Sequence, residues 1–96
     1  MEDLDTIEEI QVKEPDMWAV IFHNDDYTSM EFVMRVLEQY FHKNKQEARR
    51  LTMEVHNEGR SCVDVSTCDI AETRSTLVMM EARKEEVPLL VTVERA

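Results

Sequence analysis

The run His23-Asn24-Asp25-Asp26-Tyr27-Thr28 places an amide and two carboxylates between an apolar, strand-like segment and an amphipathic, helix-like one. Oxygens of these kinds accept hydrogen bonds from an ammonium group. Each charge-assisted bond contributes about 1.5–3 kcal/mol when partly shielded from water. The same residues also serve a plain turn ahead of a helix, because Asn and Asp close tight turns and carboxylates complement the helix N-terminal dipole. On residue types alone the plain turn is the commoner outcome. A calcium loop fits poorly, since the alternating ligands, central Gly and terminal Glu of an EF-hand are missing.

Met30 falls in the first turn of the helix that follows, where it offers an apolar wall beside the acidic run. Oxygens for an ammonium next to a dry slot for a side chain are what holding the first residue of a polypeptide requires. Fully burying a Leu or Phe side chain in such a slot contributes about 1.5–3 kcal/mol. His56 lies near the end of a second helix, ahead of Asn57-Glu58-Gly59. A lone histidine there ordinarily complements the helix dipole; it joins the site only if it faces the acidic run. His23 and His42 lack zinc-ligand spacing. The chain has neither a nucleophile elbow nor a phosphate-binding glycine loop. No catalysis, metal or cofactor is expected. Most of Met34, Met53, Met79 and Met80 read as core filler.

Positioning these groups takes one domain. The 96 residues are 43% hydrophobic with a single Gly and two Pro, which suits one ordered unit with a modest core. The net charge of −10 makes nucleic acid and anionic membranes poor partners. No apolar run approaches the 18 or so residues of a membrane span, and the acidic N-terminus does not resemble a signal peptide. Cys62 and Cys68, with no second pair, read as buried or half-buried free thiols in a reducing, soluble compartment. Residues 1–15 read as a flexible acidic extension, with six acidic residues, one lysine and a sparse apolar set of Leu4, Ile7, Ile10 and Val12; residues 16–96 read as the core domain.

Within that domain, Met17–His23 has the aromatic and β-branched content of a strand. Thr28 followed by Glu31 suggests a capping box for a helix starting near Ser29, with Val33, Val36, Leu37, Tyr40 and Phe41 along one face. A second helix starts after Asn44, buries Ala48, Leu51, Thr52 and Val55, and ends at Gly59. Val63 and Val65 alternate with polar residues in a second strand. Thr67 is the expected cap of a third helix with the stripe Ile70, Ala71, Leu77, Val78 and Ala82, and Leu89–Val93 forms a last strand. The order β-α-α-β-α-β predicts an α+β fold: a three-stranded antiparallel sheet covered by three helices on one face.

With these elements in place, four segments in order carry a resemblance: His23-Asn24-Asp25-Asp26-Tyr27-Thr28-Ser29-Met30-Glu31-Phe32-Val33, then Val55-His56-Asn57-Glu58-Gly59-Arg60, Ile70-Ala71-Glu72-Thr73-Arg74, and Pro88-Leu89-Leu90-Val91-Thr92. From about Met17 to Ala96 the chain resembles the ClpS family, adaptors that deliver N-degron substrates to AAA+ Clp proteases. The resemblance implies a non-enzymatic adaptor that binds the free N-terminus of a chain beginning with Phe, Tyr, Trp or Leu. By the same likeness, Asn24, Asp26 and His56 would hold the α-amino group, with Asp25 beside them mainly to shape the loop. Thr28, Met30, Val33, Thr52, Val55 and Leu89 would wall the pocket, Thr52 standing where a Met is common in relatives. Asp69, Glu72, Thr73 and Arg74 would meet the N-terminal domain of a ClpA- or ClpC-type unfoldase. Ser29 replaces a common Pro, and Asp64 a common Gly, which puts an acidic side chain on the second strand. The expected form is a monomer in a bacterial cytoplasm, or in a plastid stroma after transit-peptide removal. A chaperone-docking modulator without N-terminal recognition is the alternative.

Overall fold

The structure, a computed structural model, describes residues 15–96. The acidic extension, apart from Pro15, lies outside the described residues. The element order is β1 (Met17–His23), α1 (Met30–Phe41), α2 (Lys45–Glu58), β2 (Arg60–Thr67), α3 (Cys68–Lys84) and β3 (Leu90–Arg95). The three strands form one antiparallel sheet in the order β2-β1-β3, so β1 is the central strand. This is the expected β-α-α-β-α-β architecture, with β3 beginning one residue later than the pattern suggested.

Residues of β1 alternate between the faces of the sheet, as a period of two requires. Val20 and Phe22 point into the helices and belong to the main core, together with Val91 of β3. The Phe22 ring meets Phe41 at the end of α1 edge-on, with centroids 5.7 Å apart and planes at 76°. That contact seats α1 on the central strand. Helix α1 buries Phe32, Val33, Val36, Leu37 and Phe41, while Tyr40 is only half-buried against the core. Helix α2 buries the expected Ala48, Leu51, Thr52 and Val55. Its N-cap is Asn44, whose side chain accepts from the Glu47 N–H at 2.8 Å.

Three local expectations change. Thr28 is not the cap of α1: Ser29 is, and its Oγ accepts from the Phe32 N–H at 3.1 Å. The Thr28 hydroxyl is committed elsewhere, as described below. Val63 and Val65 do not share a face. The β1–β2 register shifts between Val20 and Ile21, and Val63 is the unpaired residue of a bulge. A bulge adds one residue to one strand and reverses the sidedness beyond it. Val63 is buried and Asp64, opposite Val20, is half-buried, whereas Val65 is 47% exposed.

The third change concerns α3. Its buried stripe is Ala71, Ser75, Val78 and Ala82, and Ile70 and Leu77 are more than 40% exposed. The stripe consists mostly of small side chains, which let the helix backbone approach the sheet closely. Thr67 occupies the N-cap position with extended backbone but makes no side-chain cap bond.

The Ser75 hydroxyl is buried without a hydrogen-bond partner among the described residues. Burial of such a group costs about 1–3 kcal/mol. Ser75→Ala is therefore expected to stabilise the domain by about 1 kcal/mol, raising Tm by about 4–8 °C. Thermal unfolding followed by circular dichroism measures this, and a lowered Tm would mean that the hydroxyl makes a bond worth keeping.

Candidate functional site

The chain leaves β1 at His23 and is caught at once. The Asn24 N–H donates to the Gly59 carbonyl at 2.9 Å. Gly59 closes α2 in the left-handed region (φ 86°), and its own N–H reaches the Val55 carbonyl at 3.0 Å. Only a residue without Cβ adopts that conformation freely. The end of α2 thus provides the acceptor that anchors the loop, and the loop lies beside the helical turn that carries His56.

Asp25 shapes the loop from within. Its Oδ1 accepts from the N–H groups of Tyr27 and Thr28, both at 2.7 Å, and its Oδ2 accepts from the Thr28 hydroxyl at 2.6 Å. Partial burial pushes the carboxyl upward, but the bonds from the Thr28 hydroxyl and the two backbone N–H groups outweigh it and hold the pKa below the ordinary carboxylate range. These bonds engage the Asp25 oxygens in holding Tyr27 and Thr28 in place, the loop-shaping part expected of it.

Beside this loop is a cavity of about 240 Å³. It is bordered by Asn24, Asp25, Asp26, Thr28, Met30, Val33, Thr52, Val55, His56 and Leu89, with His23 in addition. Three of the four segments that carry the family resemblance, far apart in the chain, therefore share one concavity. Val33, Val55 and Leu89 are at most 5% exposed and form its dry walls, while Met30 stands at the rim, 40% exposed. Thr52 is buried, and its hydroxyl donates to the Ala48 carbonyl at 2.7 Å. Its polar atom is satisfied inside the helix, so it adds little polarity to the wall. The side chains of Asn24, Asp26 and His56 are exposed and make no hydrogen bond among the described residues. They are free to meet a ligand.

His23 lacks zinc-ligand spacing, and residue types alone assign it no site role. The available signal was its position, the last strand residue directly ahead of Asn24. Its Nε2 lies 2.8 Å from Thr92 Oγ1, which ties the rim to β3.

The other sequence-selected residues lie apart from this cavity. Asp69, Glu72 and Thr73 are exposed on α3, and Arg74 is half-buried, with Nη1 3.0 Å from Asp64 Oδ2. Asp64 is thus paired. Both cysteines are free, and Cys62 is exposed rather than buried. Desolvation, followed by the Glu72 and Asp69 carboxylates, pushes the Cys68 thiol up, away from the thiolate a nucleophile needs.

The family described as "ATP-dependent Clp protease adaptor protein ClpS" matches residues 13–92. The chain belongs to the ClpS family. Among curated ClpS adapter proteins, that of Rhodospirillum centenum is 46% identical over 85 residues, covering 88% of this chain and 79% of its own length. The Deinococcus radiodurans ClpS is 43% identical over 89 residues, covering 93% of this chain and 79% of the relative. Among solved structures, Agrobacterium tumefaciens ClpS2 bound to L-phenylalaninamide aligns with a TM-score of 0.83 at 35% identity, over 86% of this chain and 100% of that one. ClpS proteins are adaptors for the Clp protease, not enzymes, and no helix among the described residues is long and apolar enough to cross a membrane.

Proposed function

We propose that this ClpS adaptor binds the free N-terminus of polypeptides beginning with Phe, Tyr, Trp or Leu and delivers them to a Clp AAA+ unfoldase. One observation carries the reading: an amide, a carboxylate and an imidazole, unpartnered among the described residues, stand at the mouth of a largely apolar cavity of about 240 Å³. A cavity of about 150 Å³ already accommodates a benzene ring, so a large first side chain fits with room for its backbone at the mouth. Asn24, Asp26 and His56 hold the α-amino group, while Thr28, Met30, Val33, Thr52, Val55 and Leu89 enclose the side chain. The ligand of Agrobacterium ClpS2, L-phenylalaninamide, has the same chemistry: an aromatic side chain next to a free amine. Asp69, Glu72, Thr73 and Arg74 meet the N-terminal domain of a ClpA- or ClpC-type unfoldase, with the adaptor a monomer.

The deciding experiment is fluorescence anisotropy with labelled peptides that differ only in the first residue, each free and N-acetylated. Phe- and Leu-starting free peptides are expected to bind in the micromolar range or tighter, on the order of −8 kcal/mol. Binding that ignores acetylation, or no binding at all, overturns the reading. The latter result together with intact unfoldase docking selects the alternative of a modulator without N-terminal recognition.

Met30 at the rim predicts the exclusion rule. A β-branched first residue carries a second Cβ substituent at the neck of the cavity, where the Met30 side chain stands. Met30→Ala is expected to improve Val- and Ile-starting peptides by about tenfold, with a smaller change for Phe. Unchanged discrimination in the same titration shows that the neck is set elsewhere.

A further inference from the structure

The α3 face assigned above to unfoldase docking, on which this inference rests, includes one side chain that is not free. Arg74 Nη1 donates to Asp64 Oδ2 at 3.0 Å, and Lys43 Nζ stands 3.9 Å from Asp64 Oδ1. Asp64, Arg74 and Lys43 have side chains 14%, 28% and 24% exposed. In every other ion pair among the described residues, both side chains are at least 36% exposed. Exposed pairs of that kind contribute little. The Asp64 cluster is the shielded one, and it joins β2, α3 and the connection between α1 and α2.

The backbone explains how Asp64 reaches this place. The bulge at Val63 lets two consecutive residues, Val63 and Asp64, both face the helices opposite Val20. Without the bulge, strict alternation from Ser61 onward would turn Asp64 to the opposite side of the sheet, away from Arg74. The irregularity of β2 and the ion pair are one feature.

We propose that Asp64 is a positioning residue of the docking face. It holds the Arg74 guanidinium against the edge of the sheet, beside the exposed Thr73. One guanidinium nitrogen is engaged, and the remaining N–H donors stay available to a partner. A guanidinium already fixed loses less freedom when it binds. Asp69 and Glu72 remain exposed without ion-pair partners among the described residues. The complementary surface therefore presents a carboxylate or backbone carbonyl to Arg74, flanked by basic side chains opposite Asp69 and Glu72.

The test is surface plasmon resonance of the full adaptor chain on intact ClpA-type and ClpC-type unfoldases. Asp64→Asn keeps the shape and removes the charge. It is expected to weaken docking by about fivefold, mainly through faster dissociation, and to leave Phe-peptide affinity unchanged. In an Arg74→Gln background the same change is expected to have no further effect, whereas a general loosening of the fold would persist there. Equal docking by Asp64→Asn overturns the proposal, and tighter docking overturns it by showing that Asp64 masks Arg74. Asp69→Arg separates the two readings: if it leaves docking intact, the α3 face is not the docking surface. If it abolishes docking while Asp64→Asn is silent, only the positioning role falls.

Discussion

Acetylating the N-terminus of a Phe-starting peptide is expected to lower its affinity by about 100-fold, close to 3 kcal/mol, and Asp26→Asn is expected to have an effect of the same order. Both changes strike one interaction from opposite sides. An ammonium entering the mouth of the cavity gives up water and gains the Asp26 carboxylate, the Asn24 amide and the His56 ring, all unpartnered among the described residues. An acetylated chain brings an amide in place of the charge, and the carboxylate is then dehydrated without compensation. Asn has the shape of Asp but not its charge, so Asp26→Asn isolates the electrostatic part. Combining acetylated peptide with Asp26→Asn adaptor closes a double-mutant cycle, in which the two losses fall well short of additive if they report the same contact. Full additivity would place the α-amino group elsewhere.

Asp25→Ala is expected to weaken the same peptide by a comparable factor, on the order of 30- to 100-fold, although Asp25 is not assigned to the ammonium. The reason is organisation. Removing the carboxylate releases the bonds from Tyr27 N–H, Thr28 N–H and the Thr28 hydroxyl. The segment bearing Asp26 then samples conformations that binding must first select. Asp25→Asn retains an oxygen for the backbone N–H groups and is expected to fall between wild type and Ala. Amide hydrogen exchange at Tyr27 and Thr28 is the independent readout: faster exchange accompanies the lost affinity if the loop account holds, and undisturbed exchange defeats it. The pH dependence has a definite sign. The folded-state pKa of Asp25 is lowered, so its contribution to stability is fully present above its unfolded value near 4 and is lost as pH falls through the folded value. Protection of these two amides is therefore expected to hold at pH 5–7 and to fade under stronger acid.

Much of the architecture was legible because it is local. The caps at Asn44 and Gly59, the buried stripe of α2 and the bounds of β1 each follow from residues within a few positions of one another. The errors share a cause. Thr28 reads as a helix cap until Asp25 competes for its hydroxyl, and Ser29 then takes the cap. Ile70 and Leu77 satisfy helical periodicity as well as Ala71 and Val78 do, but the close approach of α3 to the sheet favours the small residues and leaves the larger ones outside.

The site divides in the same way. The sequence by itself determined which groups are present: an acidic and amide loop ahead of a helix, a methionine in its first turn, a histidine at a helix end, and the family pattern that links them. Hydrophobic periodicity and turn chemistry are short-range properties, so they survive in a single string. Only the tertiary structure decided that Asn24, Val33, His56 and Leu89 border one cavity and that a bulge turns Asp64 toward Arg74. These outcomes depend on strand register and on hydrogen bonds between residues distant in the chain, such as that from Asn24 to Gly59. Contacts of that range are settled by packing the whole core at once, because no local stretch of sequence contains both partners.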